Sequence, residues 1–332
     1  MKKLLSVLLS VVVILSVLSL VGCGSQPLKL GLGVVSYTDG IKSADADTNG
    51  TATNETTVAA VLVDKDGKIV KCDIDSLKAE LTFTADGKYV KAEEFKSKYE
   101  LGNDYNMVKY GKAQKEWFEQ VDAFEALVVG KTLDEVKALI AKDGKGNDDV
   151  INAGCTIIIS DFVTALEKAV ANAAESGATA KDNLKVAVVA TQTGSKDATE
   201  EAAGTNEVDI TASAVATKDG KVTAILTDAL TADVSFDTQG AVASTSKIDI
   251  PTKLELGDKY NMAKYGQDLN GDGVVKEWYE QAAAFNNAVI GKDADGISAL
   301  ANDKGYGTDE VQTAGCTINI ADMVKAAQKA AK

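Results

Sequence analysis

Two threonines follow glycines in the same short frame. Ala153-Gly154-Cys155-Thr156-Ile157 recurs as Ala314-Gly315-Cys316-Thr317-Ile318. A glycine lets a phosphate approach the backbone, and the N-terminus of a following helix favours its negative charge. Gly154, Thr156, Gly315 and Thr317 are therefore candidate ligand-binding residues. The alternative is a glycine turn beside a threonine that faces a neighbouring element. Asp268, Asn270 and Asp272, with Gly273 behind them, place oxygens at positions one, three and five and glycine at six. That is the ligand spacing of the first half of a calcium loop. Position twelve is Tyr279, so the bidentate carboxylate is missing, and a solvated Asp/Gly turn is the alternative. Tyr105 and Tyr260 occupy the same place in two matching stretches, where they could line a pocket for a planar ligand or close an aliphatic core.

Other chemistry is excluded by what the chain lacks. It has no histidine and no arginine. Ser-His-Asp and Cys-His catalysis and His-based zinc or haem ligation fall away with histidine. The formal charge is −14, from 35 lysines against 49 acidic residues. Such a chain is a poor partner for nucleic acid or anionic headgroups. The acidic residues show no spacing that assigns acid–base roles, so no catalytic residue is proposed and an enzyme is not expected. Cys72, Cys155 and Cys316 form no CxxC motif and read as small buried apolar residues.

The N-terminus carries its own signal. Met1-Lys2-Lys3 precedes a nearly unbroken aliphatic run, Leu4 to Leu20, and then Leu20-Val21-Gly22-Cys23. A charged start, an apolar stretch and a small residue before the cut are the layout of an export leader. Leu20 to Cys23 resembles the lipobox of bacterial lipoproteins. The resemblance implies a leader at 1–22, a lipid such as a palmitate-bearing diacylglyceryl group on Cys23, a tether at 23–27, and a mature chain held at the outer face of the cell membrane. Loss of Lys2 and Lys3 takes the charge from −14 to −16.

The elements that must position the candidate residues repeat as well. Leu101 to Gly111 matches Leu256 to Gly266, at an offset of 155. Lys115-Glu116-Trp117-Phe118-Glu119-Gln120 matches Lys276-Glu277-Trp278-Tyr279-Glu280-Gln281, at an offset of 161. The insertion Asp268–Gly273 accounts for the difference. So long a spacing implies duplication of a domain, not a solenoid. The sequence predicts α+β, twice: a copy at 28–173, a small polar linker at 174–183 and a copy at 184–332. Val58–Val63 and Lys68–Ile74 flank the turn Asp64–Gly67 as a hairpin. Leu77–Thr84 and Lys88–Val90 flank a second turn. Ile210–Thr217 and Lys221–Leu226 flank a third. Trp117, Val121, Phe124, Leu127 and Val128 make a helical stripe. Thr132 with Glu135 forms a capping box for a helix through Ile140. Cys155–Ile159 reads as a short strand, with Ser160 as N-cap of a last helix that buries Phe162, Ala165, Leu166, Ala169 and Val170.

This order, a hairpin, then helices, then Gly-x-Thr ahead of a final helix, resembles the FMN-binding domain of membrane-associated flavoproteins. Val61–Ile69 is similar to that family's hairpin, and Ala153 to Thr156, with Ala314 to Thr317, stand where its Ser-Gly-Ala-Thr segment stands. The resemblance implies FMN carried on Thr156 or Thr317 and an electron carrier at the cell surface. Ala153 and Cys155 depart from the motif, as does Val150 at its acidic position. The literal Ser176-Gly177-Ala178-Thr179 lies in the linker instead. Two further expectations stand beside this one: a non-catalytic surface module that binds a ligand or partner, and a structural envelope protein.

Overall fold

The computed structural model describes residues 26–266 and 275–332. Cys23 and the calcium-loop residues Asp268, Asn270 and Asp272 lie outside this range.

The fold is a mixed α+β arrangement with antiparallel sheets. β1 (Lys29–Lys42), β2 (Gly50–Val63) and β3 (Ile69–Phe83) form a meander, with Gly31 opposite Val61 and Val61 opposite Cys72. β4 (Tyr89–Val90) extends the β3 edge, and β5 (Ala174–Glu175) pairs with β1. β6 (Asn183–Gln192), β7 (Gly204–Lys218) and β8 (Lys221–Phe236) form a second meander. β9 (Ile248–Asp249) returns to β1. The turn after β2 is set locally. Asp64 Oδ1 accepts the N–H groups of Asp66 and Lys68, both at 2.9 Å, and Gly67 takes φ 78°. A positive φ of this kind costs glycine nothing.

Among the described residues, four helices of ten residues or more cover the sheets: α1 (Trp117–Val128), α2 (Ser160–Ala171), α3 (Trp278–Val289) and α4 (Ala321–Ala330). α1 and α2 bury Trp117, Phe124 and Leu166 against Ala59, Val61 and Ile74 on one face of the first sheet. α3 and α4 bury Trp278, Phe285 and Ala327 against Val215 and Ile225 of the second. The opposite faces of both sheets meet in one central core, where Leu30, Leu62 and Leu81 join Val188, Ile210 and Leu230. The layers are therefore helix, sheet, sheet, helix, and alternate strand residues feed two cores. β1 carries glycines where α2 crosses it. A Cβ on Gly31 or Gly33 would stand 1.9 Å from the carbonyl oxygen of Ala169 or Ala165.

The seam between the sheets is reciprocal. β3 lies beside β6, and β1 lies beside β8. The N–H of Ala198 donates to Gly87 O at 2.7 Å, and that of Ala44 donates to Gly240 O at 2.8 Å. Lys329 pairs with Glu100, and Lys168 pairs with Glu255. A contact whose two sides exchange roles is the signature of an isologous interface.

Several sequence expectations change. The expected strands Lys68–Ile74 and Leu77–Thr84 merge, but for Lys68 and Thr84, into one continuous strand, β3, because its ladder to β2 runs unbroken past Asp75 and Ser76. Cys155–Ile159 is not a strand. Its donors turn elsewhere: the N–H of Cys155 to Val150 O and that of Thr156 to the Gln120 side chain. Only Ile158 makes a bridge, to Lys145. Ser160 lies inside α2 and does not cap it, since the Ile159 carbonyl already accepts from Val163. The capping box of Thr132 and Glu135 is present, but its helix spans only Leu133–Lys137. The segment 174–183 is pinned: Ala178 is fully buried and accepts from the N–H of Leu28.

Candidate functional site

The repeated blocks meet through one glutamine in each half. Gln120 on α1 accepts both the N–H and the hydroxyl of Thr156, each at 2.9 Å. Its amide nitrogen donates to Lys115 O at 3.1 Å and faces the Met107 sulfur at 3.3 Å. Gln281 repeats these bonds with Thr317, Lys276 O and Met262. Glu116 accepts from the N–H groups of Met107 and Val108, as Glu277 does from Met262 and Ala263. Three stretches remote in sequence are thereby tied into one joint.

That joint decides what Thr156 and Thr317 can do. Gly154 ends the helix Asp148–Ala153 with φ 106°, and Gly315 takes φ 102°. A Cβ on either would strike the amine of Lys115 or Lys276. A lysine therefore stands near each exposed or half-buried threonine, the cation that a phosphate would need. The hydroxyls are already donated to glutamine, so attachment of FMN there requires that bond to break. Tyr105 and Tyr260 are half-buried against the outer cores, with Lys98 and Lys253 over their rings at 5.5 and 5.4 Å. Among the described residues no cluster of carboxylates and thiols is arranged to hold a metal ion.

A cavity of about 360 Å³ lies elsewhere, where β3 meets β6. Ile74, Val186, Ala187 and Val188 border it along the two strands, with their side chains buried in the cores. Asp73, buried on β3, accepts from the N–H of Val186 at 2.6 Å and from the Lys185 ammonium at 3.1 Å. Lys185 also stands 5.5 Å from the centre of the Tyr99 ring, and the Tyr99 hydroxyl donates to Asp122. Glu125 on α1 accepts the N–H of Ile74 at 2.6 Å. Two carboxylates thus terminate strand-edge N–H groups that no neighbouring strand takes. Loss of solvent pushes the Glu125 carboxyl up to about 9, with the Asp73 charge adding to it. Burial also raises Asp73, against the pull of Lys185. Half-buried Cys72 is pushed up by the same desolvation and the same two carboxylates. None of Gly154, Thr156, Gly315, Thr317, Tyr105 or Tyr260 lines this cavity.

The β1–β8 joint provides an internal control. Asp75 and Asp228 mark equivalent places. Each accepts from the next N–H and from the N–H of Tyr99 or Leu254 at 3.2 Å. In that frame Leu226 replaces Asp73, Leu254 replaces Tyr99, Ala283 replaces Asp122 and Asn286 replaces Glu125. The row Lys185–Val215–Ile225 corresponds to Gly31–Val61–Cys72. At β1 the edge is closed by Asn172, whose side chain holds both the N–H and the carbonyl of Leu32. Asn286 Oδ1 is buried with no partner among the described residues. One joint carries Asp228 and the Lys168–Glu255 pair; the other adds Asp73, Glu125 and Lys185, beside the cavity.

Sequence reasoning missed Asp73, Tyr99, Asp122, Glu125 and Lys185, which lie on four different segments. Aligning the two halves for positions that gain or lose charge would have found them. No known protein family, curated protein or solved structure matches this chain.

Proposed function

We propose that the chain is an extracytoplasmic lipoprotein, anchored through Cys23 and built of two copies of one α+β unit, that binds a small ligand without transforming it. The supporting observation is the difference between the two joints. At the β1–β8 joint the matching positions are Leu226, Leu254, Ala283 and Gly31, none of them charged. At the same places the β3–β6 joint carries Asp73, Tyr99, Asp122, Glu125 and Lys185, and of these Asp73, Tyr99 and Lys185 line the cavity. Asp73, Asp75, Tyr99 and Lys185 converge on this cavity, and a concave site with convergent polar groups is where small ligands bind.

Melting the mature protein against a panel of small molecules tests the binding reading. A ligand at one hundred times its Kd adds about 2.7 kcal/mol to native stability. That gain should be lost in Lys185→Ala. A blank panel, or a stabiliser indifferent to Lys185→Ala, counts against the cleft. Anchoring is tested separately: Cys23→Ala should move the protein from the membrane fraction to the medium.

FMN on Thr156 or Thr317 is the second reading, favoured by Lys115 and Lys276 beside the two glycines. Bound flavin would supply one- or two-electron redox chemistry, while Gln120, Gln281 and the two lysines would orient its phosphate. Co-expression with a flavin transferase should then give in-gel fluorescence that Thr156→Val with Thr317→Val abolishes. A colourless protein removes this reading and leaves the cleft untouched.

A further inference from the structure

We propose that Lys185 and Asp73 join covalently, through an amide between Lys185 Nζ and the Asp73 side-chain carboxyl, which the chain forms by itself and which locks its two halves together. The bond goes beyond ligand binding and does not depend on it. The partners are already in place. Lys185 Nζ stands 3.1 Å from Asp73 Oδ1, and reacting groups held about 3–3.5 Å apart need little further movement. Asp73 is only 7% exposed. The N–H of Val186 donates to its other oxygen, Oδ2, at 2.6 Å, where it can hold the negative charge of a tetrahedral intermediate. Glu125 lies close enough for its charge to act on both partners, and burial keeps its proton on at neutral pH.

The step balances within the chain. One ammonium proton passes from Lys185 to Asp73. Loss of solvent favours the resulting neutral pair at both groups, although their attraction holds Lys185 above its usual value. Lys185 Nζ attacks the carboxyl carbon and a C–N bond forms. The Glu125 carboxyl carries a second proton from the nitrogen to the departing oxygen. A C–O bond breaks, one water leaves, and Glu125 ends as it began; nothing is oxidised or reduced. About half of the Lys185 side chain faces solvent, which gives that water a way out. Condensation is unfavourable between free groups in water, but groups held in contact reach effective concentrations on the order of 10⁵–10⁸ M. At the β1–β8 joint Gly31, Leu226 and Asn286 replace Lys185, Asp73 and Glu125. Nucleophile, acceptor and proton carrier are thus present together in one joint and absent together from the other. The amide would tie positions 112 residues apart.

The Cys23→Ala protein, free of lipid, is weighed intact by mass spectrometry and then digested. It should be lighter than its sequence by one water, and the digest should yield one branched peptide holding both Asp73 and Lys185. Lys185→Arg in the same protein keeps the positive charge beside Asp73, but a guanidinium is always protonated and does not attack. That variant should regain the full mass and lose the branched peptide while its near-ultraviolet circular dichroism stays native. Glu125→Gln should slow closure at least about a hundredfold. A parent protein of full mass overturns the proposal. So does a missing water that persists in Lys185→Arg, the mark of a cyclised Asp-Gly pair such as Asp219-Gly220. Closure of Glu125→Gln at the parent rate overturns the part given to Glu125.

Discussion

Phe83 and Phe236 stack face to face, with ring centroids 4.5 Å apart and planes within 2° of parallel. Each ends its strand, β3 or β8, and each faces a glycine across the ladder, Gly50 or Gly204. A Cβ on Gly50 or Gly204 would stand 2.1 or 2.4 Å from the facing ring. The rings therefore occupy space left by the glycines, at the point where the two sheets exchange equivalent residues. Phe83→Ala and Phe236→Ala should each cost about 3–5 kcal/mol, the usual range for emptying such a site. The double variant should lose less than the sum, because both singles break the same stack. Chemical denaturation of the three variants measures this; strict additivity would show that the rings do not act as a pair.

Stability should fall as the pH rises from about 5 to 9. Burial pushes Asp228 up to about 6 and Asp75 up to about 7, and Glu125 goes up to about 9. Each folded acid keeps its proton to a higher pH than it does unfolded, where release comes near pH 4. Between those values the native state binds more protons than the unfolded state, so raising the pH favours unfolding. The slope is at most about 1.4 kcal/mol per pH unit for each proton. Acids held low, such as Glu100 beside Lys329, are already ionised across this window. Glu125→Gln keeps an oxygen for the Ile74 N–H and should flatten the curve above pH 7. Melting temperatures that rise from pH 5 to pH 8 would contradict the assignment.

Gln120→Leu should destabilise by about 1–3 kcal/mol, because it strands the Thr156 N–H and the Lys115 carbonyl near the core. Gln281→Leu should match it, given the same bonds in the second half. Thr156→Val removes only an exposed hydroxyl and should cost less than about 1 kcal/mol. Thermal melts rank the three, and a Thr156→Val loss as large as that of Gln120→Leu would show that the hydroxyl, not the glutamine, ties the joint.

Calcium provides an independent probe of Asp268, Asn270 and Asp272. Trp278 is buried where α3 begins, a few residues on from that loop. Weak binding should change its emission at millimolar-order calcium, and Asp268→Ala should abolish the change. A flat titration would falsify the calcium assignment.

The helical stripes and turn glycines were legible because each is decided within one or two turns of chain. Trp117, Val121, Phe124 and Val128 are buried as their spacing predicts. β1 and β6 were not legible from their own residues. Gly31 and Gly33 interrupt the strand pattern of β1, and their purpose appears only once α2 lies across them. The repeated Tyr105, Gln120 and Thr156 stretches were visible at once, yet repetition alone could not separate a ligand site from a joint. The cleft was invisible for the opposite reason: Asp73, Glu125 and Lys185 are the positions where the two halves disagree.

The shared central core has a consequence for the order in which the chain can close. The inner face of β1–β3 has no cover of its own, since its partner surface is β6–β8. A chain emerging N-terminus first holds that face wet until residue 236 has arrived. The early strands therefore lack half of their packing until the late ones arrive, and neither sheet has a complete core without the other.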